Sequence, residues 1–364
     1  MRKRILISGG GTGGHIFPAL AIAKELEKRY DHLDLLFVGA SDRMEMEKIP
    51  AAGYKVVGLW IAGFQRSLSI RNVLFPIKLI LSILKSFFIV IRFKPNVVIG
   101  TGGYASGPIL WVASVLKIPT LIQEQNSYPG VTNRILASRV SKICVAYTGL
   151  ERFFPLKKIE IFGNPIRSEI EFGIYNKKDS LAAYGFTQAK PTVLIVGGSL
   201  GAKRINEAVL AHCSWFLEND IQLIWQTGTL YFEKCIEAKN LLGSRAHITR
   251  FISDMGQAYS AADIVVSRAG ALAIAELTSI GKTCVLIPSP NVAEDHQLKN
   301  ALTLSNQNAA VLVEENTIDT QLFSVLKTLV DNPDKQLELS TNAKRMGQPN
   351  AVLKIVDSID QLLL

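Results

Sequence analysis

The sequence predicts an α/β protein of two doubly wound domains, each built on a parallel sheet, the pair facing a central cleft. Three observations predict it. A short apolar run at Arg4–Ser8 meets the glycine-rich Gly9–Gly14 and then a helical pattern through Leu26, which is the order strand, glycine loop, helix. The same order restarts at Thr192–Val196 with Gly197-Gly198-Ser199-Leu200-Gly201. Elsewhere short apolar strands alternate with helical patterns, as in a parallel sheet covered on both faces, and 364 residues suffice for two cores.

In chain order, the first strand is followed by Pro18 and Ala19–Leu26, which read as a helix opening near a proline. Glycines admit positive φ and close approach to main-chain amides, and a helix N-terminus favours an anion. The first loop therefore reads as a seat for phosphate or a sugar phosphate. Gly9, Gly11 and Gly14 satisfy G-x-G-x-x-G, and no Gly-Lys-Ser/Thr follows, which speaks against a triphosphate loop. A nicotinamide fingerprint needs an acidic residue ending the next strand. Here Leu33–Val38 runs into Gly39-Ala40-Ser41, and Asp42 comes late. A helix at Arg43–Ala52 and a strand at Tyr54–Leu59 follow.

The segment Ser69–Lys94 breaks the rhythm. It is almost wholly apolar except for Arg71, Lys78, Lys85 and Arg92, which recur every seventh position and so form one slowly drifting stripe on a helix. Lys78 and Lys85 interrupt the run too often for a membrane span. A buried helix with one solvated stripe competes with an interfacial helix whose basic stems reach lipid phosphates. The apolar excess and the sign of the charge favour the second.

Next come a strand at Asn96–Ile99, a second glycine loop at Gly100–Pro108, and a strand at Pro119–Ile122 ending in Gln123-Glu124-Gln125-Asn126. Polar groups at carboxyl ends of parallel strands line a ligand cleft in open α/β sheets. The periodic pattern lapses near Ile161–Arg167, which sets domains at 1–165 and 166–350, with Ala351–Leu364 a helix packing back toward the first. In the second half, strands are expected at Gln222–Gln226, His247–Phe251 and Cys284–Pro288. Its densest stretch is Ala262–Leu277, where a strand meets a helix start at Gly270. Main-chain amides there can hold a diphosphate, and Glu276 can accept hydrogen bonds from a ribose diol.

Charge is distributed unevenly. Residues 1–165 hold 22 Lys+Arg against 10 Asp+Glu, and residues 166–364 hold 18 against 21. The first half therefore faces something anionic, a nucleic acid or a membrane surface. Cys144, Cys213, Cys235 and Cys284 lie far apart, which suggests neither a zinc site nor a disulfide framework and fits a reduced compartment. Met1-Arg2-Lys3-Arg4 runs directly into a strand, so no cleavable signal peptide is expected.

Taken together, GGGTGGHIFPALAIA, GTGGYASGP, QEQN, GNPIR, VGGSLGA, FISDM, SRAGALAIAE and DHQLKNA, in this order over most of the chain, resemble the N-acetylglucosaminyltransferases of peptidoglycan synthesis. These are two-domain glycosyltransferases of the GT-B fold. The resemblance implies transfer of N-acetylglucosamine from UDP-N-acetylglucosamine to the muramyl 4-hydroxyl of lipid I, an undecaprenyl-diphosphate-linked muramyl pentapeptide, giving lipid II and UDP. It implies a peripheral enzyme on the cytoplasmic face of the membrane, held through Arg71, Lys78, Lys85, Arg92 and their apolar neighbours, with no nucleic-acid partner. No Asp-x-Asp is present, so no metal and no cofactor are expected. Helix N-termini and loop amides would carry the diphosphate.

By position, the resemblance puts Thr12, Gly13, Gly14 and Asn126 on the sugar side, Arg167 and Ser199 on the diphosphate, and Ile252 on the uracil through its backbone. Ala271, Leu272, Ala273 and Glu276 hold diphosphate and ribose, and Gln297 the sugar hydroxyls. It implies inversion by direct displacement, which needs a base near neutral pH. His15 is the first candidate and Glu124 the second. Gly102, Gly103, Tyr104 and Ser106 are assigned to the acceptor's diphosphate. Arg268-Ala269-Gly270 departs from the serine often found before the glycine, so position 269 has no hydroxyl role. Another GT-B transferase with a different acceptor, a nicotinamide or flavin enzyme, and a membrane-binding scaffold are the competing readings.

Overall fold

The computed structural model describes residues 2–63, 74–171, 173–198, 200–292 and 295–364. Arg71 and Ser199 lie outside the described residues. The chain forms two compact units, one running to Ile166 and completed by Asn350–Leu364, the other Arg167–Pro349.

The first unit holds seven strands among the described residues: β1 Lys3–Gly9, β2 Leu33–Ala40, β3 Val56–Leu59, β4 Val97–Gly102, β5 Thr120–Glu124, β6 Lys142–Val145 and β7 Ile159–Ile161. Their order is β3-β2-β1-β4-β5-β6-β7, all parallel. β6 and β7 are short and had no separate sequence signal. β1, β4 and β5 are buried through nearly their whole length, the consequence of helices on both faces. Strand order reverses between β1 and β4, which puts a crevice at their carboxyl ends. There the register slips: Ser8 pairs with Gly100 and Gly9 with Gly102. Thr101 is the extra residue of a bulge, a device that re-aims groups beside functional sites.

The helix after β1 spans Gly13–Arg29. It begins five residues before Pro18, correcting the expected opening at the proline. Pro18 sits inside it and removes the bond to the Gly14 carbonyl, one turn into the helix. The helix Ala351–Leu363 completes the core beneath this one, burying Val352, Ile355, Val356 and Ile359 against Ile5, Ile22 and Leu26, each worth about 1.5–3 kcal/mol. Arg29 pairs with Asp357 and Asp360, both at 2.5 Å, fixing which face turns inward.

The second unit holds six strands among the described residues: β8 Thr192–Val196, β9 Gln222–Gln226, β10 Ala246–Thr249, β11 Ile264–Ser267, β12 Thr283–Leu286 and β13 Val311–Leu312. They are parallel, in the order β10-β9-β8-β11-β12-β13. The reversal falls between β8 and β11, so the third glycine loop and Gly270 share one crevice. At the opposite end Lys282 donates to the Ala262 carbonyl at 2.7 Å, and burial lowers its pKa to about 8 from 10.5, with Asp263 opposing the shift. Between those values the unfolded chain binds the extra proton, so stability rises with pH across about pH 8–10.5, by at most about 3 kcal/mol. Lys282→Met is expected to raise the urea midpoint at pH 7 and to flatten this dependence in unfolding curves taken from pH 7 to 10.5.

Candidate active site

In the first unit the crevice is built around His15, which lies in the first turn of the helix Gly13–Arg29 and not on the loop before it. Its Nδ1 is 2.9 Å from the Thr101 carbonyl and 3.0 Å from Gln125 Oε1. Both partners are acceptors, so Nδ1 carries the proton and Nε2 keeps its lone pair. The bulge at Thr101 supplies that carbonyl, and the Thr101 hydroxyl donates back to the His15 carbonyl at 2.7 Å. Gln125 is held in turn. Its Nε2 donates to the Thr101 carbonyl at 2.8 Å, and Asn164 Nδ2 donates to its backbone carbonyl at 3.0 Å. Gln123 Nε2 donates to Asn164 Oδ1 at 3.0 Å, closing a buried amide network. The sequence reading missed Gln123, Gln125 and Asn164 as a group, although QEQN and GNPIR were both in view.

Glu124 is 1% exposed, and both carboxylate oxygens are engaged. Oε1 accepts from the Asn126 backbone at 3.0 Å and from Asn126 Nδ2 at 3.3 Å. Oε2 accepts from the Gly130 backbone at 3.0 Å and from Asn133 Nδ2 at 2.8 Å. This carboxylate ties the Asn126–Asn133 loop and orients Asn126.

The first two glycine loops touch each other. Gly10 donates to the Gly102 carbonyl at 3.3 Å. A Cβ on Gly102 (φ +99) would stand 2.7 Å from His15 Nδ1, and one on Gly103 (φ +88) 2.3 Å from the Gly10 carbonyl oxygen. Glycine is required there by packing as well as by φ. Two expectations are corrected. The Gly11 amide donates to Glu45 Oε2 at 2.9 Å, so at that point of the first loop a side chain stands where phosphate was expected. Ser106 is buried, its hydroxyl 2.9 Å from the Ser8 and 2.8 Å from the Gly102 carbonyl, turned into the fold and not toward a diphosphate. Thr12 and Gly14 are exposed at the helix start, and Tyr104 is 53% exposed.

In the second unit the helix Ala271–Ile280 starts at Gly270, with no acidic residue in its first turn and no side-chain cap. Gly270 has negative φ, and an added Cβ would meet nothing within 4 Å. Among the described residues nothing requires glycine there, and the amides of Ala271, Leu272 and Ala273 form a first turn that no side chain caps. One turn on, Glu276 is 13% exposed. Its Oε2 accepts from Tyr259 Oη at 2.8 Å and its Oε1 lies 3.5 Å from Arg167 Nη2. Burial raises its pKa, while Arg167 and the Tyr259 hydrogen bond pull the other way. Arg167 also reaches the Ser253 carbonyl at 3.4 Å, so Arg167, Ser253 and Glu276 converge.

Ile252 is buried, and its amide donates to Gln226 Oε1 at 2.8 Å. The expected backbone contact of Ile252 with a base is thereby narrowed to its carbonyl. Gln226 also donates to the Gly198 carbonyl at 3.0 Å, bridging the third glycine loop to the Ile252 loop, a role invisible in sequence. Gln297 Oε1 accepts from the Ser289 amide at 2.9 Å. Arg268 pairs with Glu315 and donates to the Ile287 and Pro288 carbonyls, each at 3.2 Å, bracing the loop after β12.

On the first unit's surface, the helix Phe75–Phe93 buries Ser82, Ser86 and Val90 and exposes Ile77, Ile80, Leu84, Phe87, Phe88 and Ile91. At about 100° per residue Lys78, Lys85 and Arg92 fall along one flank of that apolar face. Lys85 donates to the Gly58 carbonyl at 2.7 Å, and Lys78 stands 5.0 Å from the Trp60 ring. No helix among the described residues is long and apolar enough to cross a membrane.

Residues 5–145 match the glycosyltransferase family 28 N-terminal domain and residues 192–355 the family 28 C-terminal domain. Those two domain matches, on two parallel-sheet units each with its crevice at a strand-order reversal, define a glycosyltransferase of the GT-B type. The chain is 49% identical over 361 residues to the UDP-N-acetylglucosamine–N-acetylmuramyl-(pentapeptide) pyrophosphoryl-undecaprenol N-acetylglucosamine transferase of Flavobacterium psychrophilum, covering 99% of this chain and 98% of that one. It is 48% identical to the protein of the same name from Parabacteroides distasonis, over 100% and 99% of the two chains. The crystal structure of Acinetobacter baumannii MurG superposes with a TM-score of 0.76 at 29% identity, covering 99% of this chain and 100% of that one. The chain belongs to glycosyltransferase family 28, among the MurG-type N-acetylglucosaminyltransferases.

Proposed function

We propose that this protein transfers N-acetylglucosamine from UDP-N-acetylglucosamine to the muramyl 4-hydroxyl of undecaprenyl-diphosphate-MurNAc-pentapeptide, giving lipid II and UDP. The observation that carries this reading is the 49% identity to a transferase of that name over 99% of the chain, which spans both crevices. The acceptor oxygen forms a bond to the anomeric carbon as the bond to UDP breaks, and its proton passes to Nε2 of His15. The imidazolium so formed has the Thr101 carbonyl and Gln125 Oε1 beside Nδ1 and is stabilised there. Glu124 acts through the loop it ties, setting Asn126 on the sugar side with Thr12, Gly13 and Gly14.

Residues 166–350 hold the donor. Arg167 and the first-turn amides Ala271, Leu272 and Ala273 take the diphosphate as it becomes a leaving group. Glu276 takes the ribose, Ile252 the uracil through its carbonyl, and Gln297 the sugar hydroxyls. Residues 1–165 receive the acceptor, with Gly102, Gly103 and Tyr104 near its diphosphate, and Ala351–Leu364 braces that domain. The test is UDP release by purified protein with and without a lipid I analogue, chelator present. Release only with the analogue supports the reading. No release despite UDP binding would replace the acceptor class.

The apolar face of Phe75–Phe93, with Lys78, Lys85 and Arg92 along its edge, rests on anionic lipid at the cytoplasmic face of the membrane. Replacing Ile80 and Phe88 together by glutamate is expected to weaken sedimentation with phosphatidylglycerol vesicles at least tenfold. Transfer to a short-chain, water-soluble acceptor should be left within twofold of wild type. Unchanged sedimentation would reject this face.

A further inference from the structure

We propose that Glu45 is a positioning residue for the transfer reaction, a built-in anion that sets the first glycine loop. This rests on the transferase reading above. Glu45 is fully buried at the start of the short helix Glu45–Ala51. Its Oε1 accepts from the Ala40 amide at 2.8 Å, at the end of β2, and its Oε2 from the Gly11 amide at 2.9 Å. Each oxygen faces a backbone N–H, so one side chain joins the carboxyl end of β2 to the loop after β1 with two charge-assisted bonds.

The surrounding glycines exist to admit it. A Cβ on Gly10 would lie 2.0 Å from Glu45 Oε1, and one on Gly39 2.4 Å from its Cγ. From Gly10 the contacts continue through its hydrogen bond to the Gly102 carbonyl to Gly102, whose missing Cβ makes room for the His15 ring. The loop therefore keeps its shape without substrate, because its own carboxylate takes the place an anion would occupy at the Gly11 amide. A loop formed before the acceptor arrives lowers the ordering cost of the reactive complex.

Glutamine at this position has one acceptor oxygen and would turn its amide hydrogens against a backbone N–H. Aspartate is one methylene too short to reach both donors. The test compares wild type, Glu45→Gln and Glu45→Asp in three measurements: transfer kinetics with a lipid I analogue, UDP affinity, and hydrogen–deuterium exchange of the peptide covering residues 9–16. The expected result is a kcat at least tenfold lower, UDP affinity within twofold of wild type, and exchange at least tenfold faster in that peptide. A kcat within twofold of wild type, or unchanged exchange, overturns the proposal, and so does a loss of UDP affinity as large as the loss in kcat.

Should both variants fail to fold, Gly39→Ala keeps the carboxylate group but crowds Cγ and Oε1, pushing it off its two amides. It is expected to lower kcat at least fivefold, and wild-type turnover there overturns the proposal equally. Wild-type protein showing no acceptor-dependent UDP release would overturn the transferase reading itself, and with it the kinetic role. The exchange data would then separately show whether Glu45 holds the loop.

Discussion

Alanine in place of His15 is expected to lower turnover by about 10²–10⁴-fold while changing UDP affinity less than twofold. The size follows from the proton's path. Nδ1 is committed to Thr101 and Gln125, so Nε2 is the atom left to accept, and alanine removes it without touching the residues proposed to hold the donor. Gln125→Leu should reproduce part of the loss, because Nδ1 then keeps one of its two acceptors and the imidazolium loses a stabilising oxygen. Single-turnover transfer beside UDP titration decides the matter, and a fall in UDP affinity as large as the fall in turnover would remove His15 from its role.

The second large effect is expected at Glu276. Glu276→Ala should weaken UDP-N-acetylglucosamine binding by about 10–100-fold, since a hydrogen bond to a charged group is worth about 1.5–3 kcal/mol. Arg167 and Tyr259 also lose their shared acceptor. The pH dependence has a definite sign. Burial raises the pKa of this carboxyl in the folded protein, so it takes up a proton at higher pH than an exposed glutamate would. Protonation removes acceptor capacity toward the ribose diol. Donor affinity is therefore expected to weaken as pH falls through that raised value, sooner than an ordinary glutamate would allow, and Glu276→Gln should flatten the trend. Isothermal titration over a pH series checks both statements, and a pH-independent affinity in the wild type would contradict them.

The parts of the site legible in sequence were those encoded by local pattern. Gly270 and Glu276 stand out because a strand ending beside a glycine and a helix start is a local arrangement. His15 stood out by its chemistry. Its tautomer did not, because that depends on a carbonyl 86 residues away and an amide 110 residues away. The glycines of the first two loops have a second reason to be there. Gly10 lies inside the first glycine loop, and Gly102 and Gly103 in the second, where a ligand was expected, yet each is also required by a neighbour inside the chain. Packing and ligand approach select the same residue for the same lack of a Cβ.

Pro18 shows the same limit from the other side. Local propensity disfavours a helix starting in Gly13-Gly14, yet the helix starts there. The Thr101 hydroxyl holds the His15 carbonyl, and Thr101 and Gln125 hold its ring. These tertiary bonds outweigh about 1 kcal/mol per glycine.

By itself, then, the sequence determined the alternation of strands and helices, the two-core plan, the apolar helix with its basic flank, and the chemical types gathered at the strand ends. Each depends on periodicity or on residues close in the chain. The tertiary structure alone decided which carboxylates are free and which are spent. It turned Glu124 into a loop tie, placed Glu45 under the first glycine loop, and made Gln226 a bridge between two loops. Glu45 and Gln226 meet partners brought within 3 Å by sheet order and register, which no local pattern records, and Glu124 meets donors two to nine residues on, through the path its own loop takes.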